Sequence, residues 1–329
     1  MTIIIGVEST AHTFGIGIVK DGKVLANERD MYNTEEGGII PTDAADHHRE
    51  LGPGIYEKAL EAAGIKEEDV DAVSFSQGPG LPPCLLAGRD FARDLALKLG
   101  KPLVPVNHCV AHLEVGRMTG ATDPVLLYCS GANTQVIAYA AGKYRIFGET
   151  LDVGVGNFID NFARYAGLGF PGGPKIEKIA KESTNLIELP YRVKGMDIAL
   201  SGILTNLRQK LEKGAKLADL AYSLQETVFP MLVETAERAL AHVNKKELLL
   251  GGGVACNSRL QEMSKKMCEE RGAAFFCPER PLLVDNGAMI AFLGEIMFEA
   301  GVKVEGEAIE KIDIMPRQRT DQIDVVWKK

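Results

Sequence analysis

Apolar residues fill the opening of the chain and then alternate with glycine, a rhythm that predicts strands at Ile3 to Glu8 and Phe14 to Val19. Asp21-Gly22 is a hairpin signal leading into a third strand at Val24-Leu25. A small polar loop, Ser9-Thr10-Ala11-His12-Thr13, separates the first two strands. The same plan returns further along. Val125 to Tyr128 is apolar, Ser130-Gly131-Ala132-Asn133-Thr134 is the polar loop, Gln135 to Tyr139 is a strand, and Gly142-Lys143 turns as Gly22-Lys23 does. Gly22 and Gly142 lie 120 residues apart, and that offset also sets Ser9-Thr10 against Cys129-Ser130. Self-similarity of this kind outranks local patterns and implies two related lobes, each opening with a β-meander.

Helical periodicity follows each meander. His47 to Ala63 and Leu81 to Leu99 read as helices in the first half, with strand-like Val70 to Phe75 and Leu103 to Val106 between and after them. In the second half Leu217 to His242 is a long amphipathic helix, Glu247 to Leu250 a short buried strand, and Asn286 to Ala300 a helix. The expected division is 1–121 and 122–329, with the C-terminal helix packing back on the first lobe. The fold class is α/β, and its plan resembles the duplicated two-lobe actin, heat-shock-chaperone and sugar-kinase fold with a central nucleotide cleft. The two polar loops are expected to face each other there, because small residues leave backbone N–H groups open to phosphate oxygens. No G-x-x-x-x-G-K-[ST] sequence occurs, so phosphate binding by a P-loop is excluded. Gly251-Gly252-Gly253-Val254-Ala255-Cys256-Asn257 runs from a buried strand into a helix start, and is read as an adenosine-binding turn.

With 329 residues, two domains are the default. The net charge of −8 argues against a protein that coats nucleic acid indiscriminately, yet the span 164–216 holds ten Lys/Arg against five Asp/Glu. The six cysteines lie far apart without a C-x-x-C pair, which reads as reduced thiols. The first residues lack the basic start of a signal peptide and no apolar run is long enough to span a bilayer, so the expected location is the cytosol, with no membrane partner.

His108-Cys109-Val110-Ala111-His112 places two imidazoles at i and i+4, on one face of a helix. Neither alone would distinguish itself from a core histidine; the pair makes a bidentate metal clamp. Cys109 stands where H-E-x-x-H has its glutamate, so the general base of a zinc protease is missing. Asp285 is the third candidate ligand, with helix capping as its rival role, and Tyr128 could offer a phenolate. His47-His48, adjacent in sequence, is assigned a structural or capping role. A mixed nitrogen and oxygen set suits iron, zinc or manganese without separating them.

Several of these runs together resemble one family. Gly6-Val7-Glu8-Ser9-Thr10-Ala11-His12-Thr13, Gln77-Gly78-Pro79-Gly80-Leu81, Val106-Asn107-His108-Cys109-Val110-Ala111-His112, Ser130-Gly131-Ala132-Asn133 and the Gly251–Asn257 run are similar to the universal tRNA threonylcarbamoyl-adenosine synthesis family. That family was once named O-sialoglycoprotein endopeptidase. The likeness extends to Arg317-Gln318-Arg319-Thr320-Asp321. The A-H-T loop and the N-H-C-x-A-H helix resemble its archaeal and eukaryotic branch, the catalytic subunit of the KEOPS complex.

The resemblance implies that His108, His112 and Asp285, with Tyr128, hold one divalent metal ion per subunit, iron being favoured. It implies that Tyr128, Cys129, Ser130, Gly131, Ala132, Asp160, Gly173, Glu177 and Asn257 contact the nucleotide-bearing substrate. The implied reaction moves a threonylcarbamoyl group from threonylcarbamoyl-adenylate to the exocyclic amine of the adenosine 3′ of the anticodon. The acceptors are tRNAs that read codons beginning with A. Glu8, at the end of the first strand, is the candidate for assisting proton transfer. The implied partners are tRNA, the adenylate or ATP/AMP, a small atypical kinase, a dimerising subunit and a further small subunit. Two stretches depart from the family pattern: Pro82-Pro83-Cys84-Leu85-Leu86 and Pro41-Thr42-Asp43. Rival readings are a metal-dependent glycoprotease and an ATP-driven scaffold of the actin superfold.

Overall fold

The structure is a computed structural model and describes residues 1–34 and 38–328. The chain forms two compact units, one comprising Met1–Asn33, Ile39–Met118 and Val284–Lys329, the other Thr34–Gly38 and Thr119–Leu283. The first begins with strands β1 (Ile3–Glu8), β2 (Thr13–Lys20) and β3 (Lys23–Met31). Helix α1 (Pro41–Ala63), strand β4 (Ala72–Gly78), helix α2 (Pro82–Leu99), strand β5 (Leu103–Asn107) and helix α3 (His108–Glu114) follow. Helix α1 starts six residues before the periodicity predicts. Pro41 occupies its first turn, where a fixed φ and a missing N–H cost nothing. Both departures from the family pattern lie in first helical turns, of α1 and α2, and they meet: the Cys84 thiol donates to the Pro41 carbonyl at 3.6 Å. Cys84 also forms a small apolar cluster with Ala44, Ala45 and Ala87.

The second unit repeats the plan. Strands β6 (Val125–Cys129), β7 (Thr134–Ala140) and β8 (Lys143–Glu149) lead into helices α4 (Val155–Tyr165) and α5 (Gly173–Ala180). The short strands β9 (Val193–Lys194) and β10 (Asp197–Ile198) precede α6 (Ser201–Glu212) and α7 (Leu217–His242). Strand β11 (Glu247–Gly251), helix α8 (Ser258–Arg271), strand β12 (Ala274–Phe276) and the one-turn helix α9 (Arg280–Leu283) complete it. Helix α10 (Gly287–Glu299) then returns to the first unit.

The sheet orders are β3-β2-β1-β4-β5 and β12-β11-β6-β7-β8, the same order read in opposite directions. Each has an antiparallel meander joined to two parallel strands. The hairpin turns also correspond. Asp21 and Gly22 have φ of 47° and 75°, Ala141 and Gly142 51° and 77°, the two left-handed positions of a type I′ turn. The second turn is therefore Ala141-Gly142, one residue before the predicted Gly142-Lys143, at the same 120-residue offset as Asp21-Gly22.

Every residue of β1 is buried. One face, with Ile3, Ile5 and Val7, joins Ile55 and Ala59 of α1 and Ala92 and Leu95 of α2 in the core. The other face meets α10 backbone to backbone. A methyl at Gly17 would stand 2.1 Å from the Ala288 nitrogen, and one at Gly6 2.2 Å from the Ala291 nitrogen. These glycines let α10 lie directly on the sheet, which brings Val284–Lys329 into the first unit although the sequence division places it in the second.

Candidate functional site

Helix α3 carries the histidine pair and begins where β5 ends. Its N-cap is Asn107, whose Oδ1 accepts from the Val110 N–H at 3.0 Å. All seven of its residues are buried. Asp285 arrives from the loop before α10. The capping role that competes for it belongs instead to Asn286, whose side chain accepts from the Met289 N–H at 3.0 Å. Asp285 Oδ1 lies 3.4 Å from His108 Nε2 and 3.4 Å from His112 Nε2. At that spacing both contacts are stretched hydrogen bonds. The spacing is also the edge expected between two ligands of a four-coordinate ion held at about 2.1 Å, roughly 3.4 Å. The three donor atoms lie within 4.8 Å of one another. Two imidazoles and a carboxylate in this geometry fit a divalent first-row metal ion.

Burial opposes a charge on His108, but the Glu8 and Asp285 carboxylates outweigh it and hold the imidazole well above its usual pKa. For His112 burial wins and the value falls, the Asp285 bond offsetting it only in part. Asp285 is held well below the usual carboxylate range: burial favours its neutral form, and the His108 charge with bonds from both imidazoles overrides this.

Glu8 is fully buried beside this cluster. Its Oε1 accepts from the Thr10 N–H at 2.7 Å and the Thr10 hydroxyl at 2.5 Å. Its Oε2 lies 3.0 Å from His108 Nδ1. A carboxylate on the far nitrogen of a ligating imidazole fixes ring and tautomer, leaving Nε2 for the metal. The other histidine pair is structural: His48 Nε2 donates to the Ala11 carbonyl at 2.9 Å and His47 Nε2 meets Asp30 at 3.0 Å. Burial lowers the His48 pKa to about 4.

In the first polar loop Ala11 and His12 are partly exposed while its first two residues are not. Ser9 and Thr10 are 1% and 4% exposed, and Thr10 is occupied by Glu8. In the second loop Gly131 and Ala132 are exposed. There the Ser130 and Gly131 carbonyls accept from the Gly156 and Asn157 N–H groups and cap α4.

Tyr128 and Cys129 end β6 and are buried. Asp160 Oδ1 accepts from the Gly172 N–H at 2.7 Å, fixing the turn before Gly173 and α5. Glu177 on α5 accepts from the Ser258 N–H at 3.1 Å and its hydroxyl at 2.5 Å. These bonds and Lys181 overcome burial and lower the Glu177 pKa. Asn257 caps α8 through Oδ1 and donates to Gln225 Oε1 at 2.8 Å, so its amide is engaged at both ends. Glu177, Gln225 and Ser258 line a pocket of about 260 Å³ together with Lys181, Tyr222 and Arg259. The triple glycine has a packing reason too. Gly252, at φ 86°, would place a methyl 2.4 Å from the Cys129 carbonyl, so β11 turns tightly over the end of β6.

The family model for TsaD, tRNA N6-adenosine threonylcarbamoyltransferase, matches residues 23–292. The chain belongs to this family. It is 55% identical over 326 residues to the tRNA N6-adenosine threonylcarbamoyltransferase of Thermococcus kodakarensis, with 99% of each chain covered. It is accordingly an enzyme, a transferase of tRNA modification. Among solved structures, HypF of T. kodakarensis has a TM-score of 0.63 at 17% identity, covering 91% of this chain and 48% of that one. A ROK family glucokinase from Streptomyces griseus has a TM-score of 0.50 at 14% identity, covering 88% and 98%. At these identities the likeness is one of fold, the two-lobe α/β architecture of the actin and sugar-kinase group.

Sequence reasoning missed two features of the site. One is the Glu8–His108 bond, which joins residues 100 positions apart. The other is Asn107, the N-cap of α3, whose signal lies in Asn107-His108 itself. No helix among the described residues is long and apolar enough to cross a membrane.

Proposed function

We propose that the chain transfers a threonylcarbamoyl group from threonylcarbamoyl-adenylate to the exocyclic N6 amine of the adenosine 3′ of the anticodon, in tRNAs reading codons that begin with A. The observation that carries the metal-dependent form of this reading is the pair of His Nε2 atoms at equal distance, 3.4 Å, from one Asp285 oxygen. His108, His112 and Asp285 would hold the ion, with Tyr128 as a further ligand and iron as the metal favoured. When bound, the ion supplies Lewis-acid polarisation and charge neutralisation to the adenylate.

The chain's own residues do the rest. Glu8 keeps His108 in the tautomer that presents Nε2. Ser130 to Ala132, Asp160, Gly173, Glu177 and Asn257 shape the nucleotide site, with Tyr128 and Cys129 at its base. In the transfer, the adenosine amine nitrogen forms a bond to the carbamoyl carbon. The bond from that carbon to the phosphate oxygen breaks, AMP departs with the electron pair, and the amine loses a proton. Alignment is the protein's main contribution. Cys109 offers no general base for proteolysis: it is buried, and burial pushes its thiol up.

The RNA contact is assigned to the basic span 164–216. Among the described residues, Lys181 is the one of its ten cations in an ion pair, with Glu177. Outside that span paired cations are common, for example Arg89, Arg93, Lys98, Arg238 and Arg259. Arg208 lies over the exposed ring of Tyr165 at 5.0 Å. Unpaired cations beside an exposed aromatic ring suit phosphates and unstacked bases. The working assembly is cytoplasmic and KEOPS-like, with a small atypical kinase, a dimerising subunit and a further small subunit.

The test is transfer of labelled threonine from threonylcarbamoyl-adenylate to unmodified tRNA, with and without those partners. Metal-dependent label on the adenosine beside the anticodon, lost in His108→Ala/His112→Ala, is the expected result. No label in any combination, with ATP still bound, would move the assignment to an ATP-driven scaffold.

A further inference from the structure

The run Arg317-Gln318-Arg319-Thr320-Asp321 lies in the segment that follows α10. From Asp313 onward this segment lies along the first unit with few regular elements of its own. Gln77 Nε2 donates to the Asp313 carbonyl at 2.8 Å, the Met315 N–H to the Gln77 carbonyl at 2.8 Å, and the Gly80 N–H to the Pro316 carbonyl at 3.2 Å. Beyond these anchors the side chains alternate: Gln318 and Thr320 turn inward while Arg317 and Arg319 are exposed.

The inward residues meet α3. Gln318 Oε1 accepts from Asn107 Nδ2 at 3.0 Å. Thr320, 2% exposed, lies beside the Cys109 thiol in the first turn. Further on, Trp327 Nε1 donates to the buried Glu114 Oε1 at 3.3 Å, and Lys328 Nζ lies 3.5 Å from the same oxygen. One segment therefore grips α3 at its cap, in its first turn and at its last residue. A seven-residue helix is too short to hold itself. An asparagine amide, moreover, caps only when its oxygen faces the helix. Gln318, by taking the Nδ2 side, sets that sense in the residue immediately before His108.

We propose that Asp313–Lys328 is a positioning strap for the metal-bearing helix, in which Gln318 acts through the Asn107 cap to aim the His108 and His112 imidazoles. The proposal rests on the metal-centre reading of His108, His112 and Asp285. It is independent of which group the enzyme transfers.

The experiment titrates the full chain with Co²⁺ alone, whose visible spectrum reports both affinity and donor geometry. Gln318→Ala is expected to weaken Co²⁺ binding about 10-fold, as loss of an outer-sphere partner does, with little change in metal-free Tm. Gln318→Glu keeps an oxygen for Asn107 and restores the affinity. Arg317→Ala, on the outward side, leaves it unchanged. Amide exchange at Val110 to Glu114 in the metal-free protein quickens in Gln318→Ala. If that variant fails to fold, Trp327→Phe, which removes the strap's bond to Glu114, answers the same question and is expected to weaken Co²⁺ in the same direction. Wild-type affinity and spectrum in both variants would overturn the strap. Failure of the wild type to bind Co²⁺ would instead remove the metal centre itself, and the strap's function with it.

Discussion

Glu8→Gln separates an orienting role from proton transfer, because the two side chains have nearly the same shape. In the native site Glu8 Oε1 serves the Thr10 N–H and hydroxyl while Oε2 faces His108 Nδ1 at 3.0 Å. Glutamine has one oxygen for both tasks. With that oxygen on Thr10, its NH₂ faces Nδ1, and the imidazole must carry its proton on Nε2. That is the atom 3.4 Å from Asp285, and once protonated it cannot ligate. With the amide reversed, the buried Thr10 N–H loses its acceptor at a cost of about 1–3 kcal/mol. Either arrangement disfavours the metal-ready tautomer. Removing such a partner weakens metal binding about 10–100-fold, or about 1.4–2.8 kcal/mol. The assay measures Co²⁺ affinity and, separately, threonylcarbamoyl transfer as metal is raised. An orienting Glu8 gives a weaker Kd and a rate that recovers at saturating metal. Unchanged Kd with a rate lost at every metal concentration would refute this reasoning and restore Glu8 as a proton carrier.

Other outcomes follow from the packing. Gly17→Ala places a methyl 2.1 Å from the Ala288 nitrogen, so α10 must retreat by about 1.4 Å to reach ordinary contact. Guanidinium unfolding should show a loss of about 1–3 kcal/mol, with weaker Co²⁺ binding because Asp285 moves with α10. Ala141→Asn turns the second hairpin into Asn-Gly and relieves a left-handed alanine at φ 51°. A gain of about 0.5–1 kcal/mol is expected in urea unfolding. His48 is neutral when folded, with its pKa lowered from 6.5 to about 4 by burial. The unfolded chain therefore takes the proton first. Stability is full above pH 6.5 and declines as pH falls toward 4, by up to about 2–3 kcal/mol. His48→Gln, compared by urea midpoints across that window, should show a shallower decline.

The duplication was legible because it depends on turns and polar loops, which leave local marks: Asp21-Gly22 and Gly142 stand at a fixed offset. The closeness of His108 and His112 was legible for the same reason, since i and i+4 share a helical face. The two loops have diverged in a way that small residues do not reveal. The residue before the first loop's Ser9 is Glu8, whose buried carboxylate occupies that loop from within. The place of α10 was only partly legible. A stripe of glycines in β1 and β2 permits contact with a helix, yet nothing local says which helix comes to lie there. Helix α1 began early because proline at a first turn extends a helix that periodicity alone would start at His47.

The order in which the ribosome makes these segments adds a constraint on biosynthesis. His112 and Asp285 are 173 residues apart in sequence, and α10, which covers the glycine face of β1 and β2, emerges with Asp285. A nascent chain halted before Val284 has both imidazoles but lacks the third ligand, the helix that seals its first sheet and the strap over α3. The first unit to be translated is thus the last to close. On the proposed metal-centre reading, metal retention would be a sign that translation has passed through the entire second unit.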